Sequence, residues 1–302
     1  MEYKTTSYMK QVFNGIKPLE DQFQVVESMT LDSTDPLRED NHKVCSCLVH
    51  RYPQKVLLLV TQDCAAHCAF CTRQRLCGIQ YSKRDIDQAL QYIQEHTEIM
   101  DVLISGGDPL TSPNRTQYCL SRLNQMDHVK WVRIGTRLPI VDPDKAIESI
   151  KTVLNGHENP KILYVNIHIN HPAEITNKAK NAFKEFRKLG CILGSQSVIL
   201  KGINDDPDTL KDLFIQILQS GVKPYYAYVT DRVKGTERFW VSPQRCIELF
   251  ESLRGLPGLC IPKLVWDDAA GKIYLPEYQV RYDESGLYGE GFDGDIQWYP
   301  NE

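Results

Sequence analysis

Three thiols fall within eight residues at Cys64-Ala-Ala-His-Cys68-Ala-Phe-Cys71. They follow the apolar run 56–60, Val-Leu-Leu-Leu-Val, which reads as a buried strand, so the thiols are expected on the loop that leaves it. A four-iron cluster takes one cysteine on each iron, and three cysteines leave the last iron open to another ligand. An open iron means chemistry rather than storage. The competing chemistry is a structural zinc site closed by His67 or Cys77 as fourth donor.

The elements that must position this loop are βα units. From residue 56 onward, short apolar runs alternate with helical periodicity, the pattern of a parallel sheet. Six strands are expected, at 56–60, 102–104, 131–134, 162–168, 192–200 and 225–229. The intervening stretches carry apolar residues on one helical face, as in Ile86, Ala89, Leu90 and Ile93 or Leu210, Leu213, Phe214 and Ile217. Ser82 with Asp85 reads as a capping box, and Ser242-Pro243 as an N-cap and first helical position. Six units do not close an eight-stranded barrel. The expected fold is therefore α/β, an open partial (β/α)6 TIM-like barrel with a wide lateral mouth. An N-terminal arm (1–45) precedes the barrel (46–256), and a short C-terminal extension (257–302) with an acidic, Gly-rich tail follows it.

A length of 302 residues suits one such unit. With 35 basic and 39 acidic residues, the formal net charge of -4 gives no footprint for nucleic acid or a membrane surface. No apolar run reaches ~18 residues and the opening is not signal-like, so neither a membrane span nor export is expected. Ten cysteines without a secretory signal point to a reducing compartment, and the expected location is the cytoplasm.

Sites in βα folds form at the C-terminal ends of the strands. The distinctive residues of this chain recur there. Cys64 to Cys71 follow the first strand, Ser105-Gly-Gly-Asp-Pro109 the second and Arg137 the third; His168 and His171 end the fourth, Gln196 lies in the fifth, and Asp231 follows the sixth. Six strand ends bearing such residues imply one shared cavity.

Several runs together resemble the lysine 2,3-aminomutase family of radical S-adenosylmethionine (SAM) enzymes. They are Arg51-Tyr-Pro-Gln-Lys55, the three-cysteine run continued by Thr72-Arg73, Ile104-Ser-Gly-Gly-Asp-Pro-Leu110, Val132-Arg-Ile-Gly-Thr-Arg137, Asn166-Ile-His-Ile-Asn-His-Pro172, Gln196-Ser-Val-Ile-Leu-Lys-Gly202 and Pro224-Tyr-Tyr-Ala-Tyr228. The likeness covers about 45 to 280. It implies a [4Fe-4S] cluster on Cys64, Cys68 and Cys71, SAM on the open iron, and pyridoxal 5'-phosphate (PLP) on a lysine. The matching lysine is Lys272 in Trp266-Asp-Asp-Ala-Ala-Gly-Lys-Ile-Tyr-Leu-Pro276, whose amine burial would help to deprotonate.

By the same resemblance, Arg51, Tyr52 and Lys55 would meet PLP, Lys55 standing where arginine is usual and lacking its two-point fork. Gly106, Gly107, Asp108 and Gln196 would line SAM, with Arg137 and His168 also at the cofactor mouth. Arg73 would clamp the substrate carboxylate, a task suited to a planar guanidinium. Asp231 would take a cationic tail; its partner is offered only at shifted register, by Asp267 or Asp268. The implied reaction moves the α-amino group of an amino acid to its β-carbon, with lysine as the first candidate and a one-electron donor such as flavodoxin or ferredoxin as partner. Asp206 stands where relatives have a zinc cysteine and none follows Cys260, so no structural zinc is expected, and any homo-oligomer should differ from theirs. The other seven cysteines read as buried thiols. Two alternatives stand beside this: an aminomutase acting on a lysine of a protein substrate, and a non-catalytic metal-bearing homologue.

Overall fold

The computed structural model describes residues 4–24, 34–156, 161–268, 271–275, 280–283, 286–290 and 295–300. Its centre is a ten-stranded sheet in sequence order. A hairpin edge opens it: β1 (Lys43–Cys45) and β2 (Leu48–Tyr52) run antiparallel, and β2 pairs antiparallel with β3 (Lys55–Thr61). From β3 the sheet is parallel through β4 (Asp101–Gly106), β5 (Trp131–Thr136), β6 (Ile162–His168), β7 (Ile192–Ile199), β8 (Lys223–Val229) and β9 (Lys263–Asp268). β10 (Gly271–Tyr274) turns back antiparallel on β9, so β1 and β10 are edges and the sheet is not closed.

The six expected strands are β3 to β8. The seventh parallel strand, β9, and its hairpin partner β10 lie in the segment set apart as the C-terminal extension. The tail beyond them, read from the sequence only as acidic and Gly-rich, contains a three-stranded antiparallel sheet of β11 (Val280–Asp283), β12 (Gly286–Glu290) and β13 (Ile296–Pro300).

The N-terminal arm holds two short helices, α1 (Ser7–Phe13) and α2 (Lys17–Asp21). The crossover helices are α3 (Lys83–Glu95), α4 (Pro113–Asn124), the short α5 (Leu138–Val141) leading into α6 (Pro143–Leu154), α7 (Asn177–Lys188), α8 (Pro207–Gln219) and α9 (Pro243–Glu251). Their starts are chemically marked. Ser82 and Asp85 close a capping box on α3, while Asp142, Thr176, Asp206 and Ser242 each accept a first-turn backbone N–H. Each such cap contributes about 1 kcal/mol. Asp206 thus starts α8.

Strand residues alternate between two environments. Val102, Ile104, Val132, Ile134, Val165 and Ile167 are fully buried in the main core, which also takes Leu90, Leu123, Ile150, Phe183 and Phe186 from the helices. The intervening positions Asp101, Leu103, Ser105, Arg133, Gly135, Asn166, His168 and Gln196 line a cavity on the other face. No helix among the described residues is long and apolar enough to cross a membrane.

Candidate active site

The root of the cysteine loop is fixed by the exit of β4. Gly107 N donates to Thr61 O at 2.7 Å, Asp108 N to Asp63 O at 2.9 Å, and Thr111 Oγ1 to Asp63 O at 3.1 Å. This approach requires both glycines. A Cβ on Gly106 would stand 1.9 Å from Thr61 O, and one on Gly107 2.3 Å from Asp63 O; Gly106 also has φ +135°. The glycines expected to admit a ligand therefore have a second task, seating the backbone that leads to Cys64. Asp108 ties this point to the next strand exit, accepting from Thr136 Oγ1 at 2.8 Å, Arg137 N at 2.8 Å, Leu138 N at 3.1 Å and Leu110 N at 3.0 Å. Burial pushes its carboxyl up, opposed by these donors.

The arm holds the same loop from outside. His67 N donates to Lys4 O at 2.7 Å and Ala69 N to Gln22 O at 2.8 Å. Arg137, buried, reaches Cys68 Sγ with Nη1 at 2.8 Å, while its Nη2 meets Glu174 Oε1 at 2.6 Å and Gln22 Oε1 at 2.5 Å. Its guanidinium also lies 4.7 Å from the Phe23 ring centre and 5.4 Å from that of Phe70. Burial raises the Cys71 thiol to about 11 and lifts Cys64 well above the ordinary range, each reinforced by the neighbouring thiols. A metal is what would turn such thiols into thiolates.

These groups open on a cavity of about 570 Å³. Its wall runs from Cys64, Cys68 and Cys71 past Arg73, Arg137, His168 and Gln196 to Asp231, Asp267 and Lys272, with Lys55, Asp101 and Arg133 near the strand starts. Lys272 lies on β10 opposite Asp267 on β9, and the two side chains form an ion pair. Lys272 Nζ is 4.6 Å from the Tyr228 ring centre, and its backbone N donates to Tyr52 Oη at 3.1 Å. Burial works against the ammonium, but Tyr228 and Asp267 outweigh it and hold the Lys272 pKa above the ordinary lysine value. Lys55 differs: burial, helped by Arg133 and Lys272, lowers it to about 8. Its Nζ stacks 3.9 Å from the centre of the Tyr52 ring. Burial, with Asp267 nearby, raises Asp231 to about 7.

Comparison with known proteins agrees with this arrangement. The Radical SAM superfamily profile matches residues 58–213. An L-lysine 2,3-aminomutase of Acetoanaerobium sticklandii is 37% identical over 89% of this chain and 66% of its own length. One from Buchnera aphidicola is 36% identical over 80% of this chain and 72% of its own. The chain belongs to the lysine 2,3-aminomutase family of the radical SAM superfamily. A radical SAM methyltransferase from Sphaerobacter thermophilus, with TM-score 0.50 and 14% identity over 73% of this chain and 68% of that one, shares the fold alone. Because the chain spans 66% of the first relative's length, that whole protein's activity does not come with the family.

The donor set fits the radical SAM cofactors. Among the described residues no three His, Cys, Asp or Glu side chains gather where a single ion could bind. A cubane spreads its ligands over separate corners, as three thiols around one loop can do. Cys64, Cys68 and Cys71 would hold the cluster, and the cavity beside them would receive SAM.

Other expected residues fall as follows. His168 is half-buried, its pKa lowered to about 3 by desolvation and Arg137, and its Nε2 contacts Asn170 Oδ1 at 3.0 Å. His171 is a local cap, its Nδ1 accepting from Ala173 N at 3.2 Å. Arg51 and Tyr52 do not line the cavity but stand behind Gly271, where a Cβ would be 3.1 Å from Tyr52 Oη and 3.6 Å from Arg51 Nη2. Lys272, expected in a loop, is on a strand; Ala269, Ala270 and Pro276 of the matching run lie outside the described residues. Of the seven remaining cysteines, Cys47, Cys119, Cys191, Cys246 and Cys260 are buried, Cys45 is half-buried and Cys77 is exposed, against expectation. Sequence reasoning missed Arg133, Glu39 and the Tyr225-Tyr226 pair. Period-two alternation in Trp131–Thr136 could have found Arg133; nothing local marks Glu39.

Proposed function

We propose that the chain is a PLP-dependent radical SAM aminomutase that moves the α-amino group of a small amino acid with a cationic tail to the β-carbon, L-lysine being the first candidate. One observation carries this reading: the three cysteines and Lys272 line the same cavity, with Arg73 and Asp231 on its wall. When bound, the cluster with SAM supplies hydrogen-atom abstraction, and PLP supplies the aldehyde that holds the migrating amine.

The residues fit PLP in two respects. Lys272 is a half-buried amine inside the cavity, and Lys55 and Arg133, the latter paired through Nε with Asp101 at 2.8 Å, form a basic floor suited to a phosphate, backed by Arg51 and Tyr52. Arg133 retains a buried Nη2 without an acceptor among the described residues, the sort of group an anion would satisfy. Asp267 and Tyr228 hold the Lys272 proton until the amine is required. Arg73 binds the substrate carboxylate and Asp231, once ionised, the tail ammonium. Gly106, Gly107, Asp108, Arg137, His168 and Gln196 shape the SAM side. Enclosure keeps water from reactive carbon, and holding the reacting groups in register can contribute roughly 7–11 kcal/mol to lowering the barrier. A one-electron donor such as flavodoxin or ferredoxin, and a cytoplasmic location, complete the reading.

Anaerobic reconstitution with iron, sulfide and PLP, followed by incubation with SAM, a one-electron reductant and single amino acids and analysis for β-amino isomers, tests it. Turnover of L-lysine or L-ornithine without a protein partner is expected. Protein loaded with cluster and PLP and supplied with SAM and reductant that isomerises no free amino acid would refute it.

A further inference from the structure

The arm reaches the candidate carboxylate clamp. Glu39, 7% exposed, forks onto Arg73: Nε stands 3.0 Å from Oε2 and 3.2 Å from Oε1, and Nη2 2.6 Å from Oε1. The pair thus covers the Nε–Nη2 edge of the guanidinium. Nη1 has no acceptor among the described residues, and Arg73 lines the cavity. A planar guanidinium has room for a second carboxylate once the first has fixed its plane.

Glu39 is itself held. It begins the short 3-10 turn Glu39–His42, and Asp35 accepts both Glu39 N at 3.1 Å and Asp40 N at 3.0 Å. Asp35 Oδ1 in turn meets Arg75 Nη2 at 2.9 Å. The same segment carries Leu37, which lines the cavity and whose carbonyl accepts from Arg51 Nη1 at 3.4 Å. One stretch therefore touches Arg73 on the cavity wall and Arg51 behind it.

We propose that Glu39 is a positioning residue, orienting Arg73 so that its open Nη1 receives the carboxylate of the amino-acid substrate. The inference rests on the functional reading above and adds the arm to the substrate site. Burial opposes the charge on Glu39, but Arg73 and Arg75 keep its carboxyl below the ordinary range, so it stays ionised near neutral pH. Without it the long Arg73 side chain would have to be ordered by the substrate, and the lost side-chain freedom would weaken binding.

The test compares wild type with Glu39→Gln, both loaded with cluster, SAM and PLP, by calorimetric titration of L-lysine and of 1,5-diaminopentane, which lacks the carboxylate. Glu39→Gln should weaken L-lysine about tenfold or more and leave the diamine unchanged, with Glu39→Asp giving an intermediate loss. Unchanged L-lysine binding overturns the proposal; tighter binding overturns it too, since Glu39 would then be a competitor for Arg73. Equal weakening of both ligands means a general structural role and also overturns it. Should Glu39→Gln fail to fold, Glu39→Asp tests it by a smaller loss confined to L-lysine, with the diamine unchanged. A wild type that does not prefer L-lysine to the diamine defeats the amino-acid reading itself, before any variant is compared.

Discussion

Lys272 and Asp267 are register partners across the β9–β10 hairpin, and their side chains pair inside the cavity. The pairing opposes burial and keeps the amine protonated, with its pKa above the ordinary lysine value. A raised lysine pKa contributes stability below the unfolded value, and that contribution is lost as pH rises through the folded one. Asp267→Asn removes the carboxylate and leaves Tyr228 alone to oppose burial. The amine should then react with PLP at lower pH, seen as a downward shift in the pH midpoint of PLP incorporation followed by absorbance. Lys272→Ala should abolish the chromophore.

Asp231 gives a second pH prediction, of opposite consequence for ligand and fold. Burial raises its carboxyl to about 7, from an ordinary value near ~4. The folded state therefore binds this proton more tightly than the unfolded chain. The resulting stability is fully present below ~4 and is lost as pH rises through about 7. Asp231→Asn should lack that loss, so melting temperatures of wild type and variant should diverge in the variant's favour across this window. Affinity for an amino acid with an ammonium tail should instead rise with pH through about 7 in wild type and stay flat in the variant. A flat wild-type profile would remove Asp231 from the tail site.

The parts of the fold legible in the sequence are those whose cause is local. Ser82 and Asp85 lie three residues apart and cap α3 because that spacing fits one helical turn. Ser242-Pro243 opens α9 for the same kind of reason. β9 escaped because Lys263–Asp268 has charged residues at both ends, and its strand state depends on pairing with β8. Arg133 escaped because parallel strands are expected to be apolar on both faces. In an open barrel one face lines a cavity, where Arg133, Asn166 and Gln196 are tolerated. Glu39 meets Arg73 only through folding, 34 positions away.

Arg137 joins the arm, the cysteine loop and the turn after β6 through Gln22, Cys68 and Glu174, and Glu174 is fully buried beside it. Arg137→Leu leaves that carboxylate without its cation. Breaking a buried pair from one side costs roughly 3–5 kcal/mol, and urea unfolding should register a loss of that order. Arg137→Leu combined with Glu174→Leu should lose less than the sum of the two single variants, because the second change removes the stranded charge. Additive losses would mean that the pair is not coupled.

Gly106 and Gly202 both have positive φ, +135° and +75°, but only Gly106 has backbone against the place a Cβ would occupy. Alanine at Gly202 meets nothing within 4 Å and should cost about 1–2 kcal/mol, the ordinary left-handed penalty. At Gly106 the added carbon would stand 1.9 Å from Thr61 O, which cannot rotate aside as a side-chain tip can. The β3 exit would have to move, and Cys64 lies three residues beyond Thr61. Gly106→Ala should therefore lower stability by more than ~3 kcal/mol and also reduce the iron retained after reconstitution, whereas Gly202→Ala should retain full iron. Comparing iron per chain in the two variants separates the general strain of a left-handed alanine from displacement of the cysteine loop. Equal iron in both would mean that the loop is seated independently of β4.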